Sequence, residues 1–427
     1  METIPGLALI AIFLATVVLI VRGQSPLVML LALAILWALF AGVSIGDIQS
    51  KIVQGGGVQF ASAVVIIIFG AWFAQILVQT GIAESVILSA VELAGGYPLA
   101  TAMTVTLVTA LLFTSMYGVG GAIAIGVIAL PIMAAQGIPR EVAAPVFTMG
   151  IGAGVFVNLT QFGIFQKLFP GIVYRTPWLA YWAVAMTVYV VIAWIMAYVH
   201  LRKLKRAHGA KDQDARDTRV PPRMPYYTYV VPVMPVLMTI AFNWEIIPTF
   251  LISIVTALIV TAKGRRPREH FGLFVKAFYD AFPGIATVSA LWTICGMVIV
   301  AGQTPEVSAA LKPVLAPILP HTALAAALFF GLLGGICNIY RGPLAVVGTG
   351  AAVVAILLAN REIPINYLHS LWLAPTVVQG SIDPTNSWTL WTISYTKTTH
   401  GEFLKTALPF GLAMVLINSI IAYFMLS

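Results

Sequence analysis

The sequence predicts an all-α polytopic membrane protein of two inverted-topology repeats, each with interfacial helices, a re-entrant hairpin and an unwound transmembrane helix. Three observations carry that expectation: an apolar composition, a repeat of element order across the two halves, and matched polar interruptions inside apolar stretches. Of 427 residues, 60% are apolar and 9% charged, and the mean hydropathy is +0.97. Soluble domains carry about 25% charged residues. A chain this poor in charge cannot clothe a water-facing surface, so the lipid bilayer is its expected surrounding.

The net charge of +8 is gathered at the ends of apolar runs. Arg202, Lys203, Lys205 and Arg206 form one cluster, Arg216, Arg219 and Arg223 a second, and Lys263, Arg265, Arg266 and Arg268 a third. That is the distribution of cytoplasmic topology determinants, and it argues against nucleic acid as a partner. The N-terminal run from Ile4 to Val21 lacks a basic n-region and is long enough to span. Cys295 and Cys337 read as packing residues in or at the ends of apolar runs. His200, His208, His270, His321, His369 and His400 are scattered without ligand spacing, so no metal site is expected.

Crossing about 30 Å of hydrocarbon takes about 20 apolar residues. Spans are predicted near 4–21, 26–43, 59–79, 98–115, 176–199, 226–243, 246–262, 284–302, 321–337 and 404–426. Shorter amphipathic stretches at about 46–54, 82–94, 268–281 and 304–317 are predicted to lie in the interface plane. Gly55-Gly56-Gly57, with no Lys-Ser/Thr after it, is no phosphate loop; it and Pro283-Gly284 are expected to hinge such helices to the next span.

Shifting the first half by about 223 positions superposes the two halves. Tyr117 falls on Tyr340 and, after a two-residue adjustment, Asn158-Leu159-Thr160-Gln161 falls on Asp383-Pro384-Thr385-Asn386. The domains expected are a first repeat at 1–200, a cytoplasmic linker at 201–223 and a second repeat at 224–427. An odd number of crossings per repeat inverts the second relative to the first, and both termini then lie outside the cell membrane.

Non-helical backbone at membrane depth must be buried in protein or line a wet cavity. Four interruptions qualify: hairpin tips at Ser115–Gly121 and Asn338–Pro343, and unwound helix centres at Gly150–Gln161 and Gly380–Ser387. Half-helix N-termini suit an anion and half-helix C-termini suit a cation. The expected substrate site comprises Ser115, Tyr117, Gly118, Gly120, Asn158, Thr160, Asn338, Tyr340, Arg341, Gly342, Thr385 and Asn386. The expected coupling-ion site comprises Asp383, Asn158, Thr160, Thr385 and Ser387, with Na⁺ or H⁺ as the ion and no other cofactor. Arg341 and Asp383 are the charges expected near the midplane, where a charge is costly and signals function. Arg341 offers a fork that fits a carboxylate, and Asp383 can bind Na⁺ or take up a proton. Trp388, Trp391 and Tyr395 read as packing or belt residues, with an apolar wall of the substrate pocket as the alternative.

This pattern implies an ion-coupled secondary transporter of a small organic anion, a carboxylate in the first instance. The alternatives are the membrane subunit of a binding-protein-dependent carrier and an ion channel. No zinc or nucleophile-elbow pattern is present, so no enzyme is expected.

Over its whole length the chain resembles the ion transporter superfamily of secondary carriers. That group includes divalent-anion/sodium symporters, citrate and C4-dicarboxylate carriers, gluconate–proton symporters and the large subunit of tripartite carboxylate transporters. The resemblance rests on Thr80-Gly81-Ile82-Ala83-Glu84, the Tyr117–Gly121 tip, Ala129-Leu130-Pro131 and the Asn158-x-Thr160 and Asp383-Pro384-Thr385 breaks. It implies a homodimer whose mobile transport domain moves like an elevator against a fixed scaffold. The divalent-anion/sodium branch carries Ser-Asn-Thr at its tips. This chain departs from it, with Ser115-Met116-Tyr117 and Asn338-Ile339-Tyr340.

Overall fold

Among the described residues, nine helices in the first half set the pattern that the second half follows. The computed structural model describes residues 4–175, 178–202, 224–262, 267–315, 317, 320–342, 344–345, 350, 353–354, 357 and 363–427. The first half runs α1 (Ile4–Val21), α2 (Pro26–Phe40), α3 (Ile45–Thr80), α4 (Ile82–Leu93), α5 (Pro98–Leu112), α6 (Val119–Ala135), α7 (Arg140–Val155), α8 (Leu159–Leu168) and α9 (Trp178–Leu201). The second runs α10 (Tyr226–Phe242), α11 (Ile246–Val260), α12 (Pro267–Gln303), α13 (Pro305–Leu315), α14 (Ala323–Gly334), α15 (Ile365–Ser381), α16 (Ser387–Thr396) and α17 (His400–Leu426). Each half therefore gives two apolar helices, one very long helix, one short amphipathic helix, a hairpin limb, a broken helix and a closing span. The second hairpin's return limb, expected after Gly342, and most of the linker 201–223 lie outside the described residues.

Helix lengths separate the elements long enough to cross from those too short. α3 has 36 residues and α12 has 37, which at 1.5 Å per residue is about 54–56 Å, well over the hydrocarbon thickness. α5 and α6 have 15 and 17 residues, about 22–26 Å, and turn back at Phe113–Gly118 as a re-entrant hairpin. α7 and α8 form one span broken at Phe156–Asn158 and bent by 57°.

The long helices correct one expectation. The stretches at 46–54 and 268–281 are continuous with the spans that follow, and are not separate helices in the interface plane. Gly55 keeps helical torsions (φ −66°, ψ −47°), and residues 48–55 wind as a π-helix instead of hinging. Pro283 sits inside α12. Contacts made far away in sequence accompany the continuity of α12 through Pro283. Trp72 of α3 packs edge-on against Phe274 and Phe278, with centroids 4.6 and 5.0 Å apart. The Trp72 indole N–H donates to the Phe274 carbonyl at 3.2 Å, and Gln79 donates to Asp280 at 2.8 Å. A hinge at Pro283 would strip the aromatic cluster from α3. The other two amphipathic stretches are separate short helices, α4 and α13.

The core lies at the broken helices. Every residue of α7 from Val142 to Val155 is buried, as is nearly all of α15 from Tyr367 to Ser381. A helix apolar on all sides is a buried one. α7 meets α5 and α15 through its glycines. A Cβ on Gly154 would stand 2.3 Å from the Ala110 carbonyl oxygen, and one on Gly152 would stand 2.6 Å from Ser381 Cβ. Tyr189 of α9 secures that crossing with a 2.6 Å hydrogen bond between its hydroxyl and that of Ser381.

Candidate functional site

A cavity of about 320 Å³ opens where the first hairpin tip, both broken helices and α12 converge. The tip contributes Tyr117, Gly118 and Val119, and the first break contributes Val155 and Gln161. α12 contributes Pro283, Gly284, Thr287, Val288 and Leu291; the second break supplies Thr376, Gln379 and Gly380 on one side and Thr385–Trp388 on the other. Among the described residues that line it the polar groups are neutral, with no Asp, Glu, Lys or Arg.

Three helix N-termini reach this cavity. α6 starts at Val119, α8 presents Gln161 in its first turn, and α16 starts at Ser387. Asn158 caps α8 by accepting from the Gln161 N–H at 2.9 Å, and Asn386 caps α16 by accepting from the Trp388 N–H at 3.3 Å. α6 has no side-chain cap. Its cap position is Gly118, at φ 92° and ψ 159°, a conformation that only glycine takes without strain. Gly118 therefore turns the chain and leaves the first N–H groups of α6 available to a ligand.

Asn158 joins the first break to its hairpin. Its amide donates to the Phe113 and Met116 carbonyls at 2.7 and 2.8 Å. With the cap to Gln161, three of its four hydrogen-bonding positions are filled inside protein. Asp383 occupies the corresponding place in the second break and is fully buried. Its carboxylate accepts from the Thr385 N–H at 2.9 Å and from the Thr385 hydroxyl at 2.8 Å.

Of the expected site residues, Tyr117, Gly118, Thr385, Asn386 and Ser387 line the cavity. Ser115, Gly120, Asn158, Thr160 and Asp383 belong to the same breaks without lining it. Ser115 and Thr160 are fully buried, and among the described residues their hydroxyls find no hydrogen-bond partner. Gly120 is packed beside Gln75 and Gly284.

Of the second tip, Asn338, Tyr340 and Gly342 are not among the described residues that line the cavity. Asn338 donates to the Gly334 carbonyl at 2.8 Å, and Tyr340 takes a left-handed turn (φ 55°) and is 41% exposed. Gly342 closes the turn by donating to the Ile339 carbonyl at 3.1 Å. The side chain of Arg341 lies outside the described residues.

Residues that the sequence did not single out complete the wall. Thr376 and Gln379 stand three apart on α15 and so share a face. Thr287 follows Pro283-Gly284, and Gln161 ends the first break motif. Trp388, expected to be a packing or belt residue, lines the cavity and meets Tyr117 edge-on at 6.3 Å. Its indole N–H donates to the Gly380 carbonyl.

The fold is similar to that in the crystal structure of the Alcanivorax borkumensis YdaH transporter, described as having an unusual topology. The TM-score is 0.61 with 13% identity, over 98% of this chain and 98% of that one. No protein-family model matches the chain, and no curated protein sequence does. The likeness establishes a shared polytopic fold with a transporter structure; it does not itself place the chain in the ion transporter superfamily.

Proposed function

We propose that this protein is an ion-coupled secondary transporter of a small organic anion, a carboxylate, working by an elevator-type alternating-access movement. The observation that supports this is the convergence of three helix N-termini on a cavity whose described lining residues are uncharged. Each N-terminus acts as roughly half a positive charge. In a buried site that field favours an anion. The volume, about 320 Å³, stands at the small end of ligand sites, which run from about 300 to 1,000 Å³. It suits a metabolite-sized anion.

The uncapped N-terminus of α6 receives the carboxylate, and Gln161, Gln379, Thr385 and Ser387 hydrogen-bond the remainder. Asp383, with Thr385 and the surrounding carbonyls, carries a coupling Na⁺ or H⁺. The hairpin and broken helices move together with the long spans, within a homodimer in the inner membrane. The linker 201–223 is cytoplasmic and both termini are external.

The test is uptake of a panel of labelled mono- and dicarboxylates by proteoliposomes holding the chain alone. Saturable uptake of a carboxylate is expected, together with a ligand-induced rise in melting temperature. Uptake only with an added binding protein favours the subunit alternative. Large unitary currents without saturable uptake overturn the carrier.

A further inference from the structure

Three polar side chains in the wall of the main cavity have no partner among the described residues. Tyr117 is 7% exposed, Gln161 8% and Gln379 4%, and all three line the cavity. The Tyr117 hydroxyl and the side-chain amides of Gln161 and Gln379 make no hydrogen bond to a described residue; Gln161 gives only its backbone N–H, to Asn158. Other polar groups of the wall are engaged. Thr376 donates its hydroxyl to the Trp372 carbonyl at 2.9 Å, Thr385 donates to Asp383, and Asn386 accepts from the Trp388 N–H. The three open groups come from the first tip, the first turn of α8 and the last turn of α15.

Burying a polar group without a hydrogen bond is costly, and a carboxamide has two donor and two acceptor positions to fill. A carboxamide that serves the fold is paired within it, as Asn158 is in the same break through Phe113, Met116 and Gln161. Gln161 and Gln379 are buried at comparable depth and turn their amides to the cavity, where only its contents can satisfy them.

The wall dictates what those contents must supply. A molecule that displaces cavity water loses affinity unless it reproduces the hydrogen bonds the water made. The N–H groups at the start of α6 only donate, so they take the carboxylate. The two amide oxygens only accept, so the ligand must bring donors to them. A methylene offers neither role, a keto oxygen or a second carboxylate only accepts, and a hydroxyl offers both. An ammonium donates, but once buried it calls for a carboxylate partner, and the described lining residues include none.

We propose that the cavity selects a hydroxylated carboxylate, and that Gln161 and Gln379 are the residues that set this specificity. The proposal deepens the carrier assignment and rests on it for the carboxylate. Each glutamine accepts a hydroxyl hydrogen through Oε1 and donates to a hydroxyl oxygen through Nε2, and the Tyr117 hydroxyl adds a third contact of either sense.

The test uses the full-length chain in detergent and two sets of ligands whose members differ at one carbon. One set is propionate, lactate, pyruvate and alanine; the other is glutarate, 2-hydroxyglutarate, 2-oxoglutarate and glutamate. Affinity is read from the ligand-dependent rise in melting temperature. In at least one set the hydroxy acid should bind about ten- to a hundredfold more tightly than its unsubstituted, keto and amino counterparts. Gln379→Met and Gln161→Met keep the side chain's length and remove its amide, and each should shrink that ratio by about tenfold. Either variant decides, so a failure of one to fold leaves the other. Tyr117→Phe, which keeps a ring against Trp388, should shrink the ratio a few-fold.

A hydroxy acid that binds no better than its unsubstituted counterpart in both sets overturns the proposal and leaves the carrier standing. Tighter binding of the keto or amino member does the same, as does a hydroxyl preference that survives in a folded methionine variant. A melting temperature that no member of either set moves overturns the carboxylate assignment, and the proposal with it.

Discussion

The two breaks occupy matched places in the repeats and are held by opposite chemistry. Asn158 in the first is neutral and points its amide at two carbonyls of the hairpin tip, Phe113 and Met116. Asp383 in the second is a carboxylate that accepts from the N–H and hydroxyl of Thr385 in its own loop. The first break is thus a brace that fixes the tip where α6 begins. The second is an acceptor site, with oxygen atoms and a negative charge placed at depth. The two breaks thus share a place in the fold and differ in chemistry, a donor brace in one and an acceptor loop in the other.

Exchanging the two chemistries is the strongest way to break this contrast. Asn158→Asp replaces the donor to Phe113 and Met116 by an acceptor, so two buried carbonyls face a carboxylate. Each buried group left without a partner costs about 1–3 kcal/mol, and more when charge is involved. The variant should melt many degrees lower, with loss of all transport, when measured by thermal denaturation in detergent. A melting temperature near wild type would show that the brace does not hold the tip.

The reciprocal change should be mild for folding and severe for coupling. Asp383→Asn retains an oxygen acceptor for Thr385 while removing the charge. Its melting temperature should lie within a few degrees of wild type, and the dependence of uptake on the coupling cation should disappear. Unaltered cation dependence would move the coupling site away from Asp383.

These contrasts show why part of the site was legible in the sequence. Asn158, Asp383 and Gly118 stand out because a polar or conformationally special residue inside an apolar stretch has few structural uses at membrane depth. Thr376 and Gln379 carry no such mark. α15 is buried nearly all round, so its periodicity names no face, and only the packed structure shows which side meets the cavity. The packing of His369 was hidden for the same reason: the rings around it, Phe165, Phe169 and Trp182, come from about 200 positions earlier in the chain. The order of elements was readable because it depends on run length. The continuity of α12 was not, because a charged and apolar mixture at 268–281 reads alike in an interfacial helix and in the extension of a span. What decides it is Trp72, on another helix altogether.

A smaller test sharpens the role of the first tip. Gly118→Ala places a Cβ 3.4 Å from Ile285 Cγ2, ordinary contact, so the penalty comes from φ 92°. Holding a residue with a Cβ at this φ and a ψ of 159°, a region essentially open to glycine alone, costs about 1–3 kcal/mol. The tip should shift to relieve it, weakening carboxylate affinity by about tenfold in a thermal-shift titration, with only a slight loss of stability.

The smallest effect is expected at Trp388, where the two repeats meet through Tyr117. Trp388→Phe keeps a ring edge-on to Tyr117 and removes the indole N–H given to the Gly380 carbonyl. A single neutral hydrogen bond is worth about 0.5–1.5 kcal/mol net. The freed carbonyl borders the cavity and can be hydrated, so the loss should fall at the low end. KM for the carboxylate should rise a few-fold with the maximal rate nearly unchanged. Trp388→Ala also removes the aromatic wall, and a much larger rise in KM there would separate the ring's contribution from that of its hydrogen bond. Equal effects in the two variants would mean that the hydrogen bond alone matters, and that Tyr117 and Trp388 do not close the cavity as a pair.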